Sequence, residues 1–277
     1  MQIVTVQENL TISQVLDNYF AHLISSEIVR LIKERDIKIN GVRISGKNDE
    51  VKAGDEVTVY DKPNKTRDIF EIVYEDDDII IVDKESGVNS EGVSNFLKTR
   101  GDYRFVHRLD RNTVGLMLFA KNDESERNAL EAFRTHTVQK YYEAVCVGNI
   151  TEKKARKEAF LKKNASSATV TIHNKKIDGA VKIITSYEVV RTDGVLSLVK
   201  VKLETGRTHQ IRAHFAFMGY PILGDTKYGQ RQINEKYKIS RQLLVSKKLT
   251  LFGISKNTEG KSFESKRSFA SVLKEQV

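Results

Sequence analysis

The chain has 277 residues, enough for one large domain or for a small domain followed by a larger one. Its 46 basic and 37 acidic residues give a net charge of +9, which favours polyanionic partners such as nucleic acid. The single cysteine excludes an internal disulfide, and the sequence shows neither a signal peptide nor an apolar run of membrane-spanning length, so we expect a cytoplasmic protein that does not enter a membrane.

The N-terminal part predicts a small domain over residues 1–61. One helix is expected to begin at Thr11 and a second at Ser25, and alternation over 37–42 predicts a strand. Residues 62–68 are polar and show no periodicity, which is typical of a linker.

Positive charge is concentrated after this first domain. Residues 1–61 hold 7 basic and 10 acidic side chains, whereas the rest of the chain holds 39 and 27. The larger part therefore provides most of the attraction for a polyanion.

Residues 69–277 predict a larger domain that is rich in strands. Strands are expected over 78–83, 115–120, 140–147, 181–190 and 195–203, and helices from 123 to 133 and from 207 to 218. Because the helices do not alternate regularly with the strands, we predict an α+β domain on a mixed, mainly antiparallel sheet. Residues 151–163 carry six Lys and Arg side chains and predict a mobile loop.

One carboxylate has an unusual setting. Asp110 lies between Arg108 and Arg111, directly before the apolar run 116–120. Neighbouring cations favour the ionised form of an acid, which a nucleophile or a base requires. A surface aspartate in a basic loop fits the same residues, so this pattern alone leaves both interpretations open.

Three further clusters accompany His107-Arg108-Leu109-Asp110. They are Lys140-Tyr141-Tyr142, Thr205-Gly206-Arg207-Thr208-His209-Gln210-Ile211-Arg212, and Gly219-Tyr220-Pro221-Ile222-Leu223-Gly224-Asp225. In this order and spacing the clusters resemble the RluA-type family of RNA pseudouridine synthases. Residues 1–61 resemble the S4 RNA-binding domain that some members carry at the N-terminus. The resemblance implies the pseudouridine synthase fold for the larger domain.

The resemblance also implies roles for individual residues. Asp110 matches the catalytic aspartate, and Arg207 matches the basic residue that pairs with it. Tyr142 matches the tyrosine that packs on the flipped base, and Arg108 matches the arginine that enters the RNA stack in place of the uridine. We add a candidate substrate-binding set: His107, Arg111, Thr208, His209 and Gln210, with Arg30, Lys33 and Arg35 in the S4-like domain.

Several of these residues also fit simpler roles. Tyr142 could be an ordinary strand aromatic, Arg207 could cap a helix, and the basic residues of the first domain could form a solvated helix face. Three positions depart from the usual family pattern: Glu85, Val114 and the segment Leu244-Val245-Ser246.

The chemistry implied by the resemblance is an isomerisation of uridine to pseudouridine. It needs no redox partner or phosphate donor, so we expect no cofactor. We also expect no metal, because His209 and His214 are five residues apart and have no nearby acid. Asp110 could attack C1′ or remove the 2′ proton, and the sequence leaves both routes open.

The expected substrate is structured ribosomal or transfer RNA, bound by a monomer. A non-catalytic RNA-binding or ribosome-assembly factor that retains the fold is the alternative. A nucleoside glycosidase that uses Asp110 is a weaker third interpretation.

Overall fold

The computed structural model describes residues 1–23, 25–61, 68–164 and 168–273. It divides into two units: residues 1–71 with 88–103, and residues 72–87 with 104–277. The sequence placed 88–103 in the larger domain, whereas the structure groups this segment with the N-terminal residues. The predicted linker 62–68 lies outside the described residues, apart from Asp68.

The first unit combines short strands with three helices among its described residues. Its elements are β1 (Gln2–Thr5), β2 (Leu10–Thr11), α1 (Ile12–Tyr19), α2 (Ser25–Lys33), β3 (Ile37–Ile39), β4 (Val42–Arg43), β5 (Glu50–Val51), β6 (Glu56–Val59) and α3 (Ser90–Lys98). The sheet order is β1-β6-β3-β4, and β2 pairs separately with β5.

Helix α1 begins where the sequence predicted. The Thr11 side chain accepts from the Gln14 N–H, and the Gln14 side chain accepts from the Thr11 N–H, so this capping box satisfies two N–H groups at the helix start. Apolar residues spaced along α1 then face a core that includes Val15, Leu16 and Phe20. Both predicted helices of the small domain are present.

Helix α3 packs against α1 through a glycine. A methyl group built on Gly92 would lie 2.6 Å from the Ala21 Cβ and 2.7 Å from the Asp17 carbonyl oxygen. The Asn89 Nδ2 donates to the Asn18 Oδ1 at 2.6 Å, and the Asn95 Nδ2 donates to the Asn18 carbonyl at 2.9 Å. The N-terminal unit therefore includes a helix that comes from later in the chain.

The second unit is built on one large sheet. Its elements, with β7 starting at the boundary between the units, are β7 (Phe70–Glu75), β8 (Ile79–Lys84), β9 (Arg104–Phe105), β10 (Val114–Ala120), α4 (Asp123–Arg134), β11 (Gln139–Val147), β12 (Lys154–Asn164), β13 (Thr169–His173), β14 (Val181–Thr192), β15 (Leu196–Leu203), α5 (Gln210–Phe217), α6 (Arg231–Tyr237), β16 (Leu244–Thr250) and β17 (Ser262–Glu264). Two short 3₁₀ helices follow at Lys256–Thr258 and Ala270–Val272.

Within the described residues this sheet has eleven strands. The order along its main path is β13-β12-β14-β15-β11-β16-β10-β8-β7, with β9 paired to β10 and β17 to β16. The pair β10–β16 is parallel, whereas β8 and β9 run antiparallel to β10, and every pair among β11 to β17 whose register is described is antiparallel. The predicted α+β class with a mixed, mainly antiparallel sheet is confirmed.

Two local expectations were wrong. Residues 154–164 form strand β12 rather than a loop, because its backbone pairs with β13 and β14 while its charged side chains face outward. Helix α5 begins at Gln210, since His209 adopts a left-handed φ of 53° that a helix cannot continue. Among the described residues, no helix is long and apolar enough to span a membrane.

Candidate active site

Asp110 lies in the loop between β9 and β10, and its backbone is held from two sides. The Asp110 carbonyl accepts from the Thr113 N–H at 3.0 Å. The next carbonyl, that of Arg111, accepts from the Gly87 N–H at 2.9 Å and from the fully buried Lys84 Nζ at 3.1 Å. This anchoring fixes the direction of a side chain that remains 22% exposed.

The ion-pair partner of Asp110 is Arg212, not Arg207. The Arg212 Nη1 donates to the Asp110 Oδ2 at 2.8 Å, while its Nε and Nη2 donate to the two oxygens of Asp225 at 2.7 and 2.9 Å. Burial opposes the charge of Arg212, but the two carboxylates raise the pKa of its guanidinium. Arg212 also lowers the pKa of Asp225 against the effect of burial. The result is a carboxylate–guanidinium–carboxylate chain.

Sequence reasoning missed this pairing, although a signal was present. Arg212 stands among Ile211, Ala213 and Phe215, three apolar residues that predict a buried stretch, and a buried cation requires an acidic partner. Arg207 precedes the true start of α5, so its exposed side chain lies outside the helical face that meets Asp110.

His209 approaches the other oxygen of Asp110. Its Nε2 lies 3.8 Å from the Asp110 Oδ1, and its Nδ1 lies 2.9 Å from the Tyr228 hydroxyl. That hydroxyl accepts from the Val170 N–H at 2.8 Å, which favours donation of its own hydrogen to Nδ1. Burial lowers the pKa of His209, partly offset by Asp110. The geometry thus favours a neutral imidazole with its proton on Nε2, facing the carboxylate.

Tyr142 projects from β11 into the same cavity and is 9% exposed. Burial raises its pKa to about 12 despite the opposing effect of the Ser246 hydroxyl, and the charge of Asp110 acts in the same direction as burial. Tyr142 is therefore a neutral phenol at physiological pH, with a flat face and a hydroxyl proton to offer.

These residues line one cavity of about 410 Å³, a size typical of small-ligand sites. The lining includes most of the residues predicted for the catalytic region: His107, Arg108, Asp110, Tyr142, Arg207, Thr208, His209 and Gln210. Arg111 is exposed and is not part of this lining.

In two of the lining residues, Gln210 and His107, hydrogen bonds within the protein occupy the polar side-chain atoms that could otherwise contact a substrate. The Gln210 Oε1 accepts from the Thr205 hydroxyl and the Arg207 N–H, and its Nε2 donates to the Ile184 carbonyl and the Thr185 hydroxyl. The His107 Nε2 accepts from the Leu118 N–H, and its ring stacks on Phe133 at 4.3 Å. Burial lowers the pKa of His107 to about 3. Both side chains therefore shape the cavity wall.

In the first unit, the predicted RNA-binding residues differ in availability. Arg30 is 15% exposed and donates to Glu27, Glu34 and Asp36, so its guanidinium stabilises the unit internally. Lys33 and Arg35 are exposed. Among the described residues, no group of three or more His, Cys, Asp or Glu side chains is arranged to hold a metal ion.

Comparison with known proteins shows which family this chain resembles. The family model described as RNA pseudouridylate synthase matches residues 78–217. Ribosomal large subunit pseudouridine synthase C of Vibrio cholerae is 30% identical over 84% of this chain and 82% of its own length. The protein of the same name from Rickettsia felis is 29% identical over 92% and 95%. The solved structure of human RNA pseudouridylate synthase domain containing 1 has a TM-score of 0.63 at 26% identity, covering 74% of this chain and 86% of that one.

Proposed function

Because the chain belongs to the RluA-type family of RNA pseudouridine synthases and isomerises uridine to pseudouridine in RNA, we propose that Asp110 is its catalytic carboxylate. The observation that carries this proposal is the 2.8 Å pair between Asp110 and the buried Arg212 within the cavity that Tyr142 also lines. We further propose ribosomal RNA of the large subunit as the substrate, on the basis of the names of the Vibrio and Rickettsia relatives.

The geometry suits either route by which a carboxylate could act. Arg212 binds the Asp110 Oδ2, whereas the Oδ1 accepts no hydrogen bond from the residues that the structure describes. A charge-assisted bond to one oxygen favours the ionised form and orients the other. Oδ1 is thus available either to attack C1′ of the ribose or to remove its 2′ proton.

Tyr142 supports the base once it has left the RNA stack. The target atoms are inaccessible within a stack, so the uridine must flip out, at a cost on the order of a few kcal/mol. Stacking on a flat aromatic ring contributes about 1–3 kcal/mol per base and offsets much of that cost. As a neutral phenol, Tyr142 can also relay the proton that leaves C5, by giving its own hydroxyl proton to water in the cavity as it accepts the new one. We propose that Arg108, an exposed residue of the cavity lining, fills the gap that the uridine leaves in the stack.

We also propose that the first unit is an S4-like RNA-binding module. Its two N-terminal helices and small antiparallel sheet support this assignment, and Lys33 and Arg35 are exposed on or just after α2. Arg30 is left out of the proposed RNA contacts because three carboxylates occupy its guanidinium.

The test is to express the protein in a bacterial host that lacks its own pseudouridine synthases and to map pseudouridine in total RNA. We expect a new modified site in large-subunit ribosomal RNA that disappears in Asp110→Asn and persists in Asp77→Asn, a matched change of an exposed aspartate. If Asp110→Asn modified the RNA as wild type does, the catalytic assignment would be wrong. A new site in transfer RNA alone would overturn the proposed substrate.

The same experiment separates the two rival interpretations. An RNA-binding factor without turnover would leave no new pseudouridine while still co-purifying with RNA. A glycosidase would release free uracil and leave abasic positions. Isomerisation releases no base, so the absence of free uracil together with new pseudouridine is the expected result.

A further inference from the structure

Lys140 is a buried cation that lines the cavity without an anionic partner. It is 6% exposed, and among the residues that the structure describes it has no ion pair and no hydrogen-bond acceptor. Its Nζ lies 5.6 Å from the centre of the Phe133 ring and 3.4 Å from where a methyl group on Gly206 would stand. Burial lowers the pKa of Lys140. A cation that lines a cavity beside an aromatic ring, without a carboxylate among the described residues to pair with, is suited to bind an anionic ligand.

Its position relates Lys140 to the catalytic centre. Lys140 and Tyr142 are two residues apart on β11, so both project from the same face of the sheet, about 7 Å apart along the strand. A nucleotide whose base lies against Tyr142 can therefore bring a backbone phosphate within reach of the long lysine side chain.

The surroundings of Lys140 are cationic. Burial lowers the pKa of His136, and the charges of Lys140 and Arg207 lower it further. Burial also lowers the pKa of His107, and Lys140 again adds to the effect. The lining residues at this end are Phe133, Arg134, His136, Lys140 and Arg207, and Asp110 is the one carboxylate among the described lining residues. Arg134 is paired with Glu131, whereas Arg207 has no ion pair within the described chain.

We propose that this end of the cavity is a phosphate subsite, with Lys140 as the buried ligand and Arg207 beside it, which binds a backbone phosphate next to the flipped uridine. The proposal deepens the proposed function and rests on it for the identity of the nucleotide. It also gives Arg207 a role at the site other than pairing with Asp110. The chemical class of the ligand is a phosphate diester in RNA, for which inorganic phosphate serves as the simplest probe.

The first experiment measures phosphate binding in the full-length protein without any turnover. Lysine side chains are isotopically labelled for NMR, and the Lys140 signal is identified by its loss in Lys140→Met. Titration with inorganic phosphate should shift the Lys140 signal more than that of Lys202, an exposed lysine on the neighbouring strand β15. A Lys140 signal that stayed unmoved, or moved only as much as Lys202, would overturn the subsite.

A second experiment distinguishes a ligand from a structural lysine. Because Met removes an unpaired buried charge and keeps similar length, Lys140→Met should raise the melting temperature while weakening RNA binding about tenfold. RNA binding by Lys140→Met should also depend less on salt. The slope of log K against log salt should be smaller in magnitude by about 0.7, which is the value for one contact to a single-stranded phosphate. Lys202→Met is the matched control and should leave affinity unchanged. A lower melting temperature with intact RNA affinity would show that Lys140 is structural.

A third experiment uses the RNA site found by pseudouridine mapping. Replacing one phosphate beside the target uridine with a neutral methylphosphonate should weaken RNA binding by wild type. The same replacement should leave the RNA affinity of Lys140→Met unchanged. Equal losses in both proteins, at every flanking position, would contradict the assignment. If wild type formed no pseudouridine, the proposed function would fail, whereas the phosphate titration and the melting experiment would still decide on Lys140.

Discussion

A single guanidinium organises the charges at this site. Arg212 is 6% exposed and donates to both Asp110 and Asp225, so its orientation is fixed by a carboxylate that is itself fully buried. Asp225 is in turn held by the N–H groups of Lys227 and Tyr228. Asp225 is therefore a positioning residue that acts on Asp110 through Arg212.

We expect Asp225→Asn to lower both stability and turnover. Removing the charge of one partner in a buried pair costs about 3–5 kcal/mol, and Arg212 would lose the bond that aims it at Asp110. The measurements are urea unfolding and single-turnover modification of RNA. Glu235→Gln is the matched control, because Glu235 accepts from the Arg231 Nε in an ion pair of the same kind but at an exposed position. It should change neither quantity measurably, and similar losses in both variants would contradict the argument.

A buried histidine should make stability depend on pH. The His214 Nδ1 lies 3.0 Å from the Thr185 hydroxyl, and burial lowers its pKa to about 4. Because the folded pKa lies below the unfolded value, the folded state binds fewer protons, so stability is complete above about pH 6.5 and is lost as pH falls toward 4.

The expected slope from His214 is about 1.4 kcal/mol per pH unit in that range. The unfolding free energies of wild type and His214→Asn should be measured from pH 4.5 to 7.5. The difference between them should change with pH by this slope, because the variant lacks the titrating group. Parallel curves for the two proteins would show that His214 does not contribute.

At the residue scale, the motifs around Asp110 and Tyr142 were sufficient to predict that both side chains line one cavity. The partner of Asp110 was not predictable in the same way. Which of Arg207 and Arg212 reaches Asp110 depends on where α5 begins, and the left-handed His209 moves that start by three residues. Such a backbone conformation is uncommon for a residue other than glycine and is not apparent from the sequence.

At the element scale, the site depends on the parallel contact between β10 and β16 in the large sheet. Strand β10 follows the Asp110 loop and pairs with β16 through Val114–Val245 and Gly115–Ser246. Gly115 has a φ of 106°, and a methyl group on it would lie 2.4 Å from the Ser246 carbonyl oxygen. Only glycine allows the two backbones to approach this closely.

Gly115→Ala should therefore destabilise the protein by more than the conformational cost of a positive φ alone. That cost is about 1–2 kcal/mol, and the clash with backbone adds about 1–3 kcal/mol. Gly194→Ala is the control for the first part, since Gly194 has a φ of 88° and open space around its missing side chain. Thermal melting of both variants gives the comparison, and equal effects would rule out the close approach.

Most of the elements were predictable from alternation and from turn residues, as the hairpin of β14 and β15 illustrates. Strand β12 was not, because six Lys and Arg side chains between 153 and 163 suggested a solvated loop. Its buried positions Ala159 and Leu161 contact the core beneath α5, while most of the charged side chains on either side of them are exposed, among them Arg156, Glu158 and Lys162. A strand with one solvated face can carry that much charge.

At the scale of the whole molecule, the first unit is completed by a segment that the sequence assigned elsewhere. Helix α3 packs on α1 around Gly92, and the Phe96 ring meets Phe70 and His22. The boundary was not predictable because it depends on contacts between residues some 70 positions apart, which local patterns do not report.

Deleting residues 1–61 should consequently do more than remove an RNA contact. It would leave Val93 and Leu97, both now buried, without the α1 surface beside them. We expect trypsin to cleave the truncated protein after Lys98 and Arg100 much faster than the full chain, because α3 would open. Equal cleavage rates would indicate that α3 is stable without α1.

The first unit consists of two separate chain segments, which affects how it can be transferred between genes and how it folds during synthesis. The chain passes between the units after residues 71, 87 and 103, so the N-terminal unit is not a contiguous cassette that a gene fusion could transfer in one piece. During synthesis on the ribosome the N-terminal unit can fold completely only after residue 103 has emerged. At that point β10 has not yet emerged, so β8 is still unpaired on that side. Transplanting residues 1–61 alone onto another enzyme would therefore carry over an incomplete module, and grafts should include a covering helix equivalent to α3.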